Sequence, residues 1–216
     1  MLSSPAGRLR SVNVGQVRTL RTAKRQVPSA IVKAPVPGRV AVRGVNLAGD
    51  DQADRRYHGG PDQVLYAYAA EDYAWWEAEL GRPLAPGTFG ENLTVEGIEV
   101  SGALIGESWR VGRVRVQVTG PRIPCFKLAA RLGDPLFVKR FLAARRTGAY
   151  LRVLEEGDLA ADDPVTVLSR PGHGVTVTGV VDASTGRLPA ESVLAAPELA
   201  SSWRSWAEQR RAQAGT

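Results

Sequence analysis

The sequence predicts a mainly β fold with helices (α+β): a β-barrel with helical insertions over residues 1–170, then a small helical appendage over residues 171–216. Three observations predict it. Short runs that alternate apolar and polar residues recur along the chain, each bounded by glycine or proline turns. Only a few helical patterns lie between them, with no regular β–α alternation and no Gly-rich nucleotide fingerprint. After Ser169-Arg170-Pro171-Gly172-His173-Gly174 the texture changes, and tryptophans appear at helical spacing.

Taken in order, residues 11–17 alternate as a strand, and the basic stretch 18–25 reads as a turn or solvated hairpin. Residues 28–35 are extended and close on Pro35; Pro37-Gly38 is a turn, and 39–43 form a second short strand. The polar stretch 49–62 cannot build a core and reads as a loop at the rim of a site or a mobile one. Within it, His58 before two glycines fits simple turn chemistry, and the glycines would also let a ligand approach the backbone. Residues 64–68 are strand-like. Residues 71–80 form the clearest helix: acids in the first turn, Tyr73, Trp76 and Leu80 on one face, Gly81 as the stop. Strands follow at 93–95, around 108–111, at 114–118, 149–154 and 164–168, with helices at 127–132 and 135–145. In the tail, 188–195 and 197–213 read as helices, the latter with Leu199, Trp203 and Trp206 on one side. Residues 175–181 read as a strand on β-propensity.

Composition narrows the class. A chain of 216 residues with 44% hydrophobic and 23% charged residues can bury one good core. No apolar run reaches the length of a membrane span, and the first residues lack the apolar stretch of a secretory signal. A single cysteine forms no internal disulfide. The expectation is a cytoplasmic protein, not bound to membranes. The net charge of +6 attracts phosphates, but the arginines are scattered and no RNA-binding aromatic signature accompanies them. No specific nucleic-acid partner is expected; a small phosphorylated ligand fits scattered arginines equally well.

The chemistry concentrates in Thr119-Gly120-Pro121-Arg122-Ile123-Pro124-Cys125-Phe126-Lys127. A strand leads in, a helix leads out, and basic Arg122 and Lys127 flank the only cysteine. A thiol at such a corner, near free helix N–H groups, favours the thiolate, which attacks electrophiles or binds soft metals. A buried thiol acting as a small hydrophobe fits the local sequence about as well.

Several stretches together resemble the MOSC-domain family in its YiiM-like branch. They include Val12-Asn13-Val14-Gly15, Pro35-Val36-Pro37-Gly38, Gly49-Asp50-Asp51-Gln52-Ala53-Asp54 and His58-Gly59-Gly60-Pro61-Asp62. Further on come Phe89-Gly90-Glu91-Asn92-Leu93-Thr94-Val95, Pro121-Arg122-Ile123-Pro124-Cys125-Phe126-Lys127-Leu128 and Arg146-Thr147-Gly148. The order matches the family's and spans nearly the whole chain. The resemblance implies a MOSC-type barrel that binds the molybdenum cofactor, a molybdopterin, with Cys125 as the molybdenum ligand. It implies a C-terminal three-helix unit whose first helix falls on residues 175–184, where propensity argues strand. It also implies reduction of N-hydroxylated base analogues such as 6-hydroxylaminopurine. Lys33, Arg122, Lys127 and Arg146 are then candidates for the cofactor's phosphate and pterin; Gln52, Asp54 and Asn92 for the pterin edge; His58 and Gly59 for the metal or substrate side.

Three functions stay open at this point: a molybdenum-dependent reductase of N–O bonds, a carrier in which Cys125 holds a persulfide or delivers cofactor, and a nucleic-acid module. One cysteine cannot carry a four-thiolate iron–sulfur cluster, and no flavin or haem motif is present. A reductase built on this chain therefore requires a separate flavin or iron–sulfur donor.

Overall fold

Residues 7–51 and 60–214 are described by the computed structural model. The N-terminal half supplies β1 (Gly7–Val14), the hairpin β2 (Arg18–Arg21) and β3 (Gln26–Ser29), β4 (Ala34–Pro35), β5 (Val40–Arg43) and β6 (Asn46–Leu47). Then come β7 (Leu65–Ala69), α1 (Ala70–Leu80), β8 (Leu93–Glu96), β9 (Ser108–Val111), β10 (Val114–Pro121), α2 (Phe126–Leu132) and α3 (Phe137–Ala144). The last part holds β11 (Ala149–Glu155), β12 (Gly157–Leu159), β13 (Pro164–Ser169), α4 (Val177–Ser184), a 3-10 helix (Ala190–Ala195) and α5 (Ser201–Ala214).

Seven strands close a barrel in the order β13-β9-β10-β11-β7-β8-β1, with β1 returning to β13. All pairs are antiparallel except β7–β8, where α1 provides the crossover a parallel pair requires. Closure leaves no free barrel edge between β1 and β13. Period-2 alternation sorts the side chains onto two faces. In β7, Leu65, Ala67 and Ala69 join the aliphatic barrel core, which includes Leu9, Val95, Trp109, Val116 and Leu151. The intervening Tyr66 and Tyr68 point the other way, into an aromatic layer with Tyr73, Trp76, Phe89, Phe137 and Phe141 beneath α1–α3. Trp76 lies between Phe137 and Phe141, with ring centroids at 4.9 and 5.9 Å. Burying side chains of this size contributes about 1.5–3 kcal/mol each. Gly148 holds the next turn tightly: at φ +65, a Cβ there would lie 2.4 Å from the Ala67 carbonyl oxygen.

The tail corrects one expectation. Residues 177–184 form a helix, not the strand that propensity indicates. Val175 and Thr176 do lie alongside Leu104 and Ile105 in a single bridge, and the Ile105 amide donates to the Val175 carbonyl at 2.9 Å. Thr176 then caps α4, its hydroxyl accepting from the Gly179 amide at 2.9 Å. Val177, Val180 and Val181 share the buried face of that helix. Tertiary burial at helical spacing thus overrides the β-branched preference. The shorter helix around 188–195 is a 3-10 helix, and Leu199 precedes α5 rather than lying on it. Val177, Val180, Val193, Leu199 and Ala207 join the same apolar cluster as the barrel's Trp109 and Val118. No helix among the described residues is long and apolar enough to cross a membrane.

Candidate active site

β10 ends at Pro121, and the chain turns through Arg122, Ile123 and Pro124 before Cys125 and α2. Cys125 is the N-cap of α2, with extended backbone (φ −123, ψ 173) and no capping bond from its side chain. Its carbonyl accepts from the Leu128 amide at 2.9 Å. The thiol is free and half-buried, beside the start of the helix.

Arg122, three residues before Cys125, is buried, 6% exposed, and near enough to interact with it electrostatically. Its guanidinium sits 5.5 Å from the centre of the Tyr66 ring and donates to the half-buried Tyr150. Burial works against the Arg122 charge, but Tyr66, Tyr150 and Cys125 outweigh it, and its pKa is raised. Tyr150 is pushed up by its removal from water, with Arg122 opposing. One guanidinium nitrogen, Nη1, is buried with no hydrogen-bond partner among the described residues. An orphaned charged donor next to a thiol is costly unless an anion completes it.

A second polar group lies behind β3. Lys33 forms an ion pair with Asp50, and both are buried. Asp50 is committed on both oxygens: Oδ1 accepts from the Gly15 amide at 2.8 Å and Oδ2 from Asn92 Nδ2 at 2.8 Å. Asn92 is equally committed. Its Nδ2 also donates to the Asn13 carbonyl at 3.3 Å, and its Oδ1 accepts from the Tyr66 amide at 3.2 Å. Burial lowers the Lys33 pKa, against the opposing effect of Asp50. Arg131, on α2, donates to the carbonyls of Ile31 and Lys33, so the helix that Cys125 starts also holds the Lys33 segment. Next to Asn92, Glu91 is wholly buried. Its Oε1 accepts from Tyr73, from the Gly87 amide at 2.7 Å and from Thr94 at 2.8 Å, while Oε2 has no partner. Burial raises the Glu91 pKa, against those hydrogen bonds.

Of the residues singled out from sequence, Cys125 and Arg122 come together, and Lys33 and Asn92 are joined through Asp50. Lys127 donates to the Pro28 carbonyl at 3.1 Å, tying α2 to the β2–β3 hairpin. Arg146 pairs with Asp72 and lies 5.0 Å from the Trp75 ring centre, on α1. Gln52, Asp54, His58 and Gly59 lie outside the described residues. Sequence reasoning missed Asp50, Tyr150, Glu91 and Arg131. For Tyr150 a signal existed: Gly120 pairs with it across β10–β11, so strand alternation places the phenol beside the loop that carries Cys125. Asp50 had none, because its partners lie 17 to 42 positions away.

The MOSC domain profile matches residues 54–166, the segment that contains most of the barrel and Cys125. The chain belongs to the MOSC domain family. It is 38% identical to YflK of Bacillus subtilis over 199 residues, covering 90% of each chain. The crystal structure of YiiM from Geobacillus stearothermophilus superposes with a TM-score of 0.78 at 30% identity, covering 94% of this chain and 98% of that one. A Gibberella moniliformis protein named "Reductase" is 33% identical over 152 residues, which span 68% of this chain and 27% of that protein. The MOSC barrel in this chain thus matches a YiiM structure nearly end to end, C-terminal helices included. Among the described residues, no three His, Cys, Asp or Glu side chains gather as ligands for a bare cation.

Proposed function

We propose that this chain is a molybdenum-cofactor-dependent oxidoreductase that reduces the N–O bond of N-hydroxylated compounds of the hydroxylaminopurine type. The observation that carries the proposal is the pairing of a free, half-buried thiol with a buried guanidinium whose Nη1 lacks a partner. The family supports the cofactor: MOSC stands for molybdenum cofactor sulfurase C-terminal domain. The relative named a reductase supports the reaction class.

The residues present fit such a group. A thiolate suits a soft, sulfur-rich metal centre, and a buried arginine suits the anionic groups attached to it. When bound, the cofactor supplies a two-electron redox centre that accepts the substrate's oxygen. Cys125 would hold the metal, and Arg122 would direct its orphaned N–H toward the bound anion. Tyr66 and Tyr150 hold that guanidinium in place. Lys33, its charge met by Asp50, would act on the cofactor only through the segment that this ion pair fixes. Lys127 and Arg146, held by a carbonyl and by Asp72, would act on the cofactor through the segments they anchor. The reaction, R–NHOH + 2 e⁻ + 2 H⁺ → R–NH₂ + H₂O, requires two electrons, supplied by a separate flavin or iron–sulfur protein.

The test is Cys125→Ser, prepared from a host that makes the cofactor. Metal content, pterin fluorescence and turnover of an N-hydroxylated purine with a reduced dye are measured beside the thermal unfolding midpoint. The expected result is a folded protein whose turnover falls by more than about 100-fold, beyond the loss that groups behind a metal's ligands cause. Wild-type turnover in the loaded variant overturns the ligand assignment.

A further inference from the structure

Most arginines described around the barrel have a carboxylate partner. Arg39 pairs with Asp158 and Asp163, Arg110 and Arg115 share Glu155, and Arg145 pairs with Asp182. The β2–β3 hairpin differs. Arg18, Arg21, Lys24 and Arg25 are all exposed, and none forms an ion pair among the described residues. Thr22 closes the tip, its hydroxyl donating to the Arg25 carbonyl at 2.7 Å and its amide donating to the same oxygen at 3.0 Å. Four like charges are therefore carried on a short, ordered ribbon.

That ribbon forms one wall of a groove of about 820 Å³. Arg21, Lys24 and Arg25 line its rim, and Phe126, Ala129, Ala130 and Val138 of α2 and α3 line its floor. Phe126 follows Cys125 directly and is 50% exposed, unusual for a large aromatic residue. Lys127 and Arg131 fix α2 to the backbone at and just beyond the hairpin's base, so the ribbon's place relative to Cys125 is set. Asp134 also lines the groove, but its carboxylate is paired with Arg140 at 2.8 Å. The combination is a basic rim around a largely apolar floor, beginning one residue from the thiol.

We infer that this groove docks the acidic face of the flavin-bearing protein that delivers electrons. The inference rests on the reductase reading above. An unpaired positive patch steers an acidic partner and sets its orientation, while the apolar floor holds it once there. The donor's flavin hydroquinone is oxidised to the quinone, releasing two electrons and two protons. These are the electrons and protons that the N–O reduction consumes. A nucleic acid would satisfy the rim and stack one base on Phe126, but Ala129, Ala130 and Val138 offer it no further stacking surface, whereas a protein face packs on all four.

The experiment compares wild type with Arg21→Glu/Lys24→Glu/Arg25→Glu, all exposed positions. Reduced flavodoxin, an acidic FMN protein, is the donor in one arm and a reduced small-molecule dye in the other. The expected result is dye-driven turnover within about twofold of wild type, with flavodoxin-driven kcat/KM at least about tenfold lower at low salt and its salt dependence flattened. Flavodoxin affinity, measured by titration without turnover, should weaken by a similar factor. Equal flavodoxin affinity in both proteins overturns the docking site, whatever the dye reports. Absent dye-driven turnover in wild type would count against the reductase reading alone, and the titration still decides the surface. Tighter wild-type binding of a single-stranded oligonucleotide than of flavodoxin, lost in the variant, would reassign the patch to nucleic acid and overturn the inference.

Discussion

Lys33 is buried against a carboxylate; Arg122 is buried against two phenol rings and a thiol. Around Lys33 the counter-ion is committed, because both Asp50 oxygens and every polar atom of the Asn92 side chain have partners. Around Arg122 no carboxylate pairs with the guanidinium among the described residues, and one N–H is left without an acceptor there. The contrast separates two uses of a buried positive charge. A charge supplied with its own counter-ion fixes the chain, and a charge without one is a receptor for an anion that the protein does not itself provide.

The contrast is broken most severely at Asp50. Asp50→Ala leaves Lys33 buried without its counter-ion and releases Gly15 and Asn92, so the protein should lose roughly 3–5 kcal/mol. Denaturant unfolding measures this; a loss under about 1 kcal/mol would show that water reaches Lys33 easily. Arg122→Met sharpens the other side. Stability should hold within about 1 kcal/mol, since a buried group with an unsatisfied donor is removed. Cofactor retention should fall about 10- to 100-fold, read as pterin per protein after dialysis. A large stability loss with full retention would reverse the two roles.

The smallest effect concerns pH. Burial raises the Glu91 pKa above its ordinary 4.5. An acid raised in the folded state contributes stability below its unfolded pKa and loses it as pH rises through the folded value. Wild type should therefore lose stability as pH climbs from about 4.5, at most about 1.4 kcal/mol per unit from this group. Glu91→Gln, whose amide oxygen still accepts from Tyr73, Gly87 and Thr94, should lack that component. Identical pH profiles for the two proteins would show that Glu91 titrates alike in the folded and unfolded states.

Local chemistry made part of this legible beforehand. The strand, the two prolines and the helix stop at Gly133 are all near Cys125 in sequence, so its helix-cap position could be read without a fold. The basic hairpin was readable for the same reason. Residues 175–184 were not readable from propensity, though the family resemblance implied their helix: four valines favour a strand until the barrel surface presents a face that a helix covers. Nor were the partners of Arg146 and Lys33. Asp72 and Asp50 stand 74 and 17 residues away, and neither carries a local mark of the pairing. At the site, sequence supplied the reactive atoms, and the fold alone distinguished the cation with a counter-ion from the one without.

Asp62 accepts from the amide and hydroxyl of Ser201 at the start of α5, at 2.9 and 3.2 Å, and pairs with Arg152 of β11 at 2.7 Å. In β10, one residue before Gly120, the Thr119 hydroxyl donates to the Asp62 carbonyl at 2.6 Å. The indole of Trp203 then fills the space that only a glycine leaves at 120. The C-terminal helix is for this reason not an interchangeable module. A tail that replaces residues 171–216 must carry a serine and a tryptophan placed to meet Asp62 and Gly120. A chain trimmed after β13 would leave Asp62 and the flank of the Cys125 strand bare, so swaps and truncations that respect the apparent boundary in the sequence cut through the support of the reactive loop.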